Sequence, residues 1–292
     1  MIGLRKGRIS MQHQGHFLET AQRFCRNRLA VTGLVILIAL IIVALFASVI
    51  APYPYDLQDT KIAKQGPTLA HLFGTDNYGR DVLSRCIYGS RISLTVGVVA
   101  VGVAIAAGGI LGAVAAFYGG IIDDIIMRLL DIVYAVPAML LGIAIAATLG
   151  ASLQNMMIAI AVGNVPSYAR VVRASVLTVK GNEYIEAARC VGASDKRIIF
   201  KHIIPNALAP IIVQATLGVA GAILACSTLS FLGLGIQPPT PEWGSMLSTA
   251  RQFIRECPHM SIFPGLCIMV TVFALNVIGD GIRDAIDPRL KD

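Results

Sequence analysis

Charge is what this chain has least of. Asp, Glu, Lys and Arg make up 14% of its 292 residues, against about 25% in ordinary soluble domains. Hydrophobic residues make up 55%, and mean hydropathy is +0.72. A soluble fold would need more polar surface than this. The common signatures of chemistry are also missing. No lysine is followed by serine or threonine, so there is no GxxxxGK[ST] phosphate loop, and ATP hydrolysis by that route is excluded. The five histidines, His13, His16, His71, His202 and His259, form no HExxH pair. No GxSxG is present. The six cysteines form no CxxC, which leaves no redox or zinc motif. A bridge between Cys86 and Cys257 stays open, because both can lie on the same outer side. No catalytic residue and no metal or cofactor ligand set is readable.

What is present is a series of apolar runs near the roughly 20 residues that cross a bilayer. Six are read: Ala30–Ile50, Ile92–Phe117, Ile125–Ala147 (interrupted by Pro137), Asn155–Val172, Leu208–Leu234 and Ile262–Gly279. The chain is therefore expected to be an all-α polytopic membrane protein. Its first run starts about thirty residues in, too late and too long for a cleaved signal. The net charge of +7 sits beside the apolar runs, which points to topology rather than nucleic acid. Arg5, Lys6, Arg8, Arg23, Arg26 and Arg28 precede the first span. Lys180, Arg189, Lys196, Arg197 and Lys201 follow the fourth, and Arg283, Arg289 and Lys291 follow the sixth. With six spans these three regions share one side, which makes both termini cytoplasmic. The segment Asp56–Arg91 dissents, since it must be outside yet carries Lys61, Lys64, Arg80, Arg85 and Arg91.

Spans one, two, five and six have no ionised residue in their interiors. A proton- or sodium-coupled carrier normally buries more charge than this. Arg128 and Asp131, one turn apart in the third span, and Arg170 and Arg173, at the exit of the fourth, are read as interface anchors and a local ion pair. Gly108 and Gly112 form a GxxxG pair that lets helix backbones approach closely, within this chain or with another. Pro238, Pro239 and Pro241 stiffen the loop before Trp243, which suits a membrane interface. The following "SMLSTARQFI" can form a short helix on the outer face.

One charged stretch interrupts the apolar blocks: "EYIEAARCVGASDKRIIFKHIIPN", Glu183–Asn206. Its first half is rich in helix formers. Gly192 permits a turn such as ends a helix, Ser194 can cap a second short helix, and Pro205 marks re-entry into the membrane. Ile185, Ala187, Ala188 and Val191, then Ile198, Ile199 and Ile203, are read as one apolar face. Such a face must dock on its own bundle or on a partner.

The same residues resemble the EAA loop of permease subunits in binding-protein-dependent ABC importers. Glu186, Ala187, Ala188 and Gly192 match that pattern in type and spacing, and Pro205 falls where it ends, although His202 and Ile204 replace the usual Ile and Leu. "GTDNYGRDVLSRCIYGSRISL", "SFLGLGIQPPTPEWGSML" and "NVIGDGIRDAIDPRLKD" resemble, in the same order, blocks of the oligopeptide/dipeptide/nickel branch, C-subunit type. The resemblance implies a bacterial cytoplasmic-membrane subunit whose EAA loop, about 180–206 between spans four and five, forms coupling helices. It implies a cytoplasmic segment 1–29, a first span 30–50, an extracytoplasmic segment 51–91, a permease core 92–282 and a tail 283–292. It further implies a second homologous permease subunit, two ATP-binding subunits that use ATP and Mg, an extracytoplasmic substrate-binding protein, and no nucleic acid. Surrounding lipid follows from the apolar spans. Peptide is the implied cargo, with nickel or glutathione as alternatives. A gradient-driven carrier or channel, or a purely structural membrane subunit, is the reading of a different class.

Overall fold

The computed structural model describes residues 19–286. No strand occurs among them, only one isolated antiparallel bridge, Thr75 to Asp81. Residues 19–26 are helical, and the α-helices after them are α1 (Arg28–Leu45), α2 (Ala47–Ile50), α3 (Val82–Tyr118), α4 (Gly120–Ala135), α5 (Ala138–Leu149), α6 (Leu153–Lys180), α7 (Glu183–Cys190), α8 (Asp195–Ile198), α9 (Ile204–Phe231), α10 (Trp243–Ala250) and α11 (His259–Ile286).

Polar side chains start the long helices by taking up backbone donors that have no partner within the helix. Asn27 Oδ1 accepts from the Leu29 and Ala30 N–H groups, at 3.1 and 3.2 Å. Asp81 Oδ2 accepts from the Ser84 N–H at 2.7 Å, and Ser152 Oγ from the Asn155 N–H at 3.1 Å. The 37 residues of α3 span about 55 Å, long enough to join both ends of the bundle.

Four helical stretches are long and apolar enough to cross a membrane: α1, α3, the continuous run Asp195–Phe231, and α11. The pair α4 and α5 makes a fifth, bent by 82° where Pro137 follows Val136. Pro lacks the N–H that would continue the helix. α6 is equally long, but Asn155, Asn164, Ser167, Arg170 and Arg173 make it more polar than the others. The second span starts ten residues before the expected Ile92, because Asp81 caps it there. The expected second short helix of the charged stretch is not separate. Asp195–Ile198 runs through a π turn at Ile199–Ile203 into α9. Ser194 stands at its N-cap position without making the side-chain hydrogen bond expected of it.

The GxxxG pair finds its neighbour within the chain. A Cβ at Gly108 would stand 2.6 Å from the Val165 carbonyl oxygen, and one at Gly112 would collide with the Ala169 carbonyl, so α3 and α6 touch backbone to backbone. α1 packs on α11 in the same way, where a Cβ at Gly33 would lie 2.9 Å from the Ala274 carbonyl oxygen.

At the N-terminal end of α3 four of the five dissenting positive charges meet partners within the chain, and Lys61 is exposed. Arg80 Nε donates to Asp76 Oδ2 at 2.6 Å, and Arg85 Nε lies 3.7 Å from the same oxygen. Arg85 Nη1 also donates to the Tyr55 and Pro239 carbonyls. Arg91 donates to the Ala44 and Leu45 carbonyls at the end of α1, where a helix dipole favours a cation. Lys64 Nζ sits 4.1 Å above the Phe253 ring. These contacts give Lys64, Arg80, Arg85 and Arg91 roles within the fold. The counted charges Arg5, Lys6, Arg8, Arg289 and Lys291 lie outside the described residues.

Trp243 is not exposed to face a membrane interface. It is fully buried, and its indole N–H donates to the Cys86 carbonyl at 3.0 Å. Gly89 makes room for it, since a Cβ there would stand 2.9 Å from Trp243 Cδ1. Glu242 is also fully buried and accepts from the Gly244 and Ser245 N–H groups at 2.9 and 2.8 Å. Burial pushes its carboxyl above the usual range, opposed by those two bonds. "SMLSTARQFI" is helical in its first part, as expected, but α10 inserts among α3, α9 and α11 instead of lying on the surface. All six cysteines are free, so Cys86 and Cys257 are not bridged. Cys86 packs in one cluster with Cys267, while Cys257 Sγ faces the Lys64 carbonyl at 3.6 Å. Trp243→Ala is expected to cost about 3–5 kcal/mol, as for a large emptied core site. Trp243→Phe, which keeps most of the volume and loses the N–H, should cost less. Thermal melts monitored by size exclusion in detergent check the order.

Candidate functional site

The charged stretch lies at the other end of α3 from the buried arginines. α6 ends at Gly181, and Asn182 Nδ2 donates back to the Thr178 and Val179 carbonyls. α7 then runs for two turns and closes in a Schellman motif. The Ala193 N–H donates to the Ala188 carbonyl at 3.0 Å, and the Gly192 N–H to the Arg189 carbonyl at 2.9 Å. Gly192 holds φ at +76°, a left-handed conformation that glycine adopts without the clash a Cβ brings. The turn expected at Gly192 is therefore present.

The apolar face docks on the chain's own bundle. Ile185, Ile198 and Ile203 are buried with Ala116 and Phe117 of α3, Val172, Val176 and Val179 of α6, and Ala207 of α9. Burying three isoleucines stabilises this seating by about 5–9 kcal/mol of gross transfer free energy. Lys180 Nζ adds a polar clamp by donating to the Ala116 and Phe117 carbonyls at 3.1 and 2.7 Å. The Arg189 guanidinium lies 5.9 Å from the centre of the Phe117 ring.

Two residues assigned to that face turn out otherwise. Val191 is 83% exposed, and Ala187 is exposed. Ala187 stands two residues from the buried Ile185, about 200° round the helix and so on its opposite face, and Val191 lies past the end of α7. Ala188 and Ile199 are half-buried. Of the residues marked by the EAA pattern, Glu186 and Ala187 stand together on the outer face of α7, Ala188 leans inward, and Gly192 makes the turn. Pro205 lies apart from them, exposed in the first turn of α9. Sequence reasoning missed Phe200, which is 71% exposed on the π turn, and Tyr184, exposed beside Glu186. Their one signal in the sequence is bulk and aromaticity within a charged run.

The result is an exposed face of Tyr184, Glu186, Ala187 and Val191 on α7 and its end, on a loop seated at the ends of three long helices, while Phe200 lines an apolar groove with Tyr118 of α3 and Leu208 of α9. One packed cluster joins the loop to α3, α6 and α9.

Residues 108–292 match the family model of the binding-protein-dependent transport system inner membrane component. Residues 17–67 match the N-terminal transmembrane domain of oligopeptide transport permease C. The chain is 50% identical over 273 residues to the dipeptide transport system permease protein DppC of Alkalihalophilus pseudofirmus, covering 94% of this chain and 90% of the relative. It is 45% identical over 271 residues to the glutathione transport system permease protein GsiD of Escherichia coli, covering 92% and 89%. In fold it resembles an inward-facing structure of the MetNI methionine ABC transporter, with a TM-score of 0.58 at 19% identity, over 70% of this chain and 98% of that one. The chain belongs to the family of inner membrane components of binding-protein-dependent transport systems, as a multi-pass transport subunit of the bacterial inner membrane.

Proposed function

We propose that this chain forms half of the membrane path of an ATP-driven importer of short peptides. The observation that carries the reading is the exposed face of α7, on a loop seated through Ile185, Ile198 and Ile203 on α3, α6 and α9. In this reading α6 counts as a sixth span. Both termini and the 180–206 loop face the cytoplasm, residues 51–91 lie outside, and 92–282 form the permease core. A second homologous permease supplies the other half of the path, with lipid around the pair. Two ATPase subunits take up the patch around Glu186 and use ATP and Mg. An external binding protein delivers the cargo. The likeness to DppC favours dipeptides, and the likeness to GsiD favours glutathione, itself a small peptide; nickel is the remaining alternative within this architecture.

The mechanism is alternating access. Closure of the ATPases moves the docked loop, and the shared cluster carries that movement into α3, α6 and α9. The path then opens outward, and hydrolysis resets it. The energy comes from the difference in ATPase contact between the two states.

The turn at Gly192 gives a sharp test. Nothing lies within 4 Å of a Cβ built there, so only the backbone conformation resists a side chain. Gly192→Val places a β-branched residue in the left-handed region, at a cost of about 1–3 kcal/mol. That should displace the turn and reduce cargo-stimulated ATP turnover by about tenfold in the assembled complex. Gly192→Asn, which tolerates that region better, should retain most of it. Full stimulation with Gly192→Val would sink the coupling role.

A further inference from the structure

α4 and α6 are joined by two ion pairs of different kinds. Arg173 grips Asp123 with both prongs of its fork, Nε to Oδ1 at 2.6 Å and Nη2 to Oδ2 at 2.5 Å. Asp123 is nearly covered, with 14% of its side chain exposed. This pair is closed. Arg170 meets Asp131 through a single contact, Nη2 to Oδ1 at 2.7 Å, with 41% and 61% of the two side chains exposed. The Tyr134 ring stacks 3.9 Å from the Arg170 guanidinium. Among the described residues, Nε and Nη1 of Arg170 and Oδ2 of Asp131 make no hydrogen bond. This pair is open.

The open pair sits at the break in the third span. Asp131 is about 12 Å further along α4 than Asp123, and the chain turns by 82° after Ala135. Residues 134–140 are all exposed in the isolated chain. A break leaves carbonyls at the end of α4 without helical partners. Such backbone is tolerated at membrane depth only against protein or a water-filled cavity, and broken helices recur at the binding sites of transporters. Opposite the break, α6 presents Asn164, Ser167 and Arg170, each partly exposed and spaced three residues apart. Gly163 approaches Ala138 just past the break. The site thus combines an available cation, an available anion, an aromatic ring and free backbone acceptors.

We propose that Arg170 and Asp131, beside Tyr134, are this chain's contact with the two charged ends of a peptide in transit. Arg170 takes the carboxylate and Asp131 the α-ammonium. In the empty path the two residues pair with each other, so neither charge is left uncompensated where solvation is poor. A peptide with free termini exchanges that one ion pair for two. This rests on the peptide-import reading and adds the residues that touch the cargo.

The test uses the complex of this chain with its permease and ATPase subunits in detergent, without the external binding protein. Saturation-transfer NMR is recorded with Ala-Phe, N-acetyl-Ala-Phe and Ala-Phe-amide. Arg170→Gln should lower the signals of Ala-Phe and the N-acetyl form by about fivefold or more, and leave the amide unchanged or stronger. Asp131→Asn should lower Ala-Phe and the amide, and leave the N-acetyl form unchanged or stronger. Arg170→Lys, which keeps the charge, should bind the N-acetyl form within about threefold of wild type. Equal changes for all three ligands would make the pair a structural clamp and overturn the proposal. So would unchanged signals in the variants, or no signal from Ala-Phe in wild type. ATP-driven peptide uptake by the wild-type complex with its binding protein, in proteoliposomes, separates the two levels. If uptake is absent, the import reading itself falls. If uptake is present and the ligands are not discriminated, only the contact at Arg170 and Asp131 falls.

Discussion

Gly112→Leu is expected to leave almost no folded protein in the membrane fraction. Overpacking an ordinary core costs about 1–3 kcal/mol, because side chains can shift. Here the obstacle is backbone, since a Cβ at Gly112 meets the carbonyl group of Ala169 on α6. Gly108 makes the same kind of approach one turn earlier, 2.6 Å from the Val165 carbonyl oxygen. A leucine would force α3 and α6 apart over the length they share, and both core clusters that join them would open. The resulting loss is comparable with a whole domain's stability of about 5–15 kcal/mol. Gly102 provides the control. It lies on the same helix with nothing within 4 Å of a Cβ, so Gly102→Leu should be tolerated. Fluorescence-detected size exclusion of tagged variants measures both, and equal yields would refute the close contact.

Asp76→Ala is expected to be the most damaging change at the opposite end of the bundle. The Asp76 carboxylate faces two arginines, Arg80 and Arg85, which are 3% and 4% exposed. It also accepts from the Tyr78 and Arg80 N–H groups at 2.8 and 3.0 Å. Removing it strands two buried cations. Breaking a buried pair in this way costs about 3–5 kcal/mol. Asp76→Asn keeps the acceptor for the backbone donors and loses only the charge, so its effect should be smaller. Adding Arg80→Met to Asp76→Ala should recover part of the loss by removing one stranded charge. Asp56→Ala, on an exposed residue whose side chain makes no hydrogen bond or ion pair among the described residues, should leave the melting temperature unchanged. Thermal midpoints in detergent rank the four variants, and a midpoint for Asp76→Ala equal to that of Asp56→Ala would overturn the account.

These effects divide along what local sequence can and cannot carry. Composition and the length of the apolar runs announced a helical membrane protein. The helix-rich half ending at Gly192 announced α7 and its turn, because a glycine after a helix-forming run acts within a few residues. The inward placement of Ile185, Ile198 and Ile203 was legible from their spacing. The outward placement of Val191 was not, because the helix ends before periodicity can apply. Arg128 and Asp131 looked like partners one turn apart, yet Asp131 pairs with Arg170, 39 residues away. Side-chain direction and the approach of α6 chose Arg170 over the cation nearer in sequence. Trp243 looked like an interfacial anchor because its flanks are prolines and loop residues. Its burial depends on the gap at Gly89, 154 positions earlier.

The sequence alone therefore determined the class of the molecule, most of its helices and the turn at the charged loop, because composition, period and caps act over one or two turns of chain. It marked Gly108 and Gly112 as a place of close approach without naming the neighbour. Only the tertiary structure decided that α6 fills it, that Pro137 bends the third span by 82° beside an open ion pair, and that Asp76 neutralises buried arginines. Each of those outcomes depends on which helices meet and at what distance, and backbone contact and charge compensation over that separation leave no periodic trace in the chain.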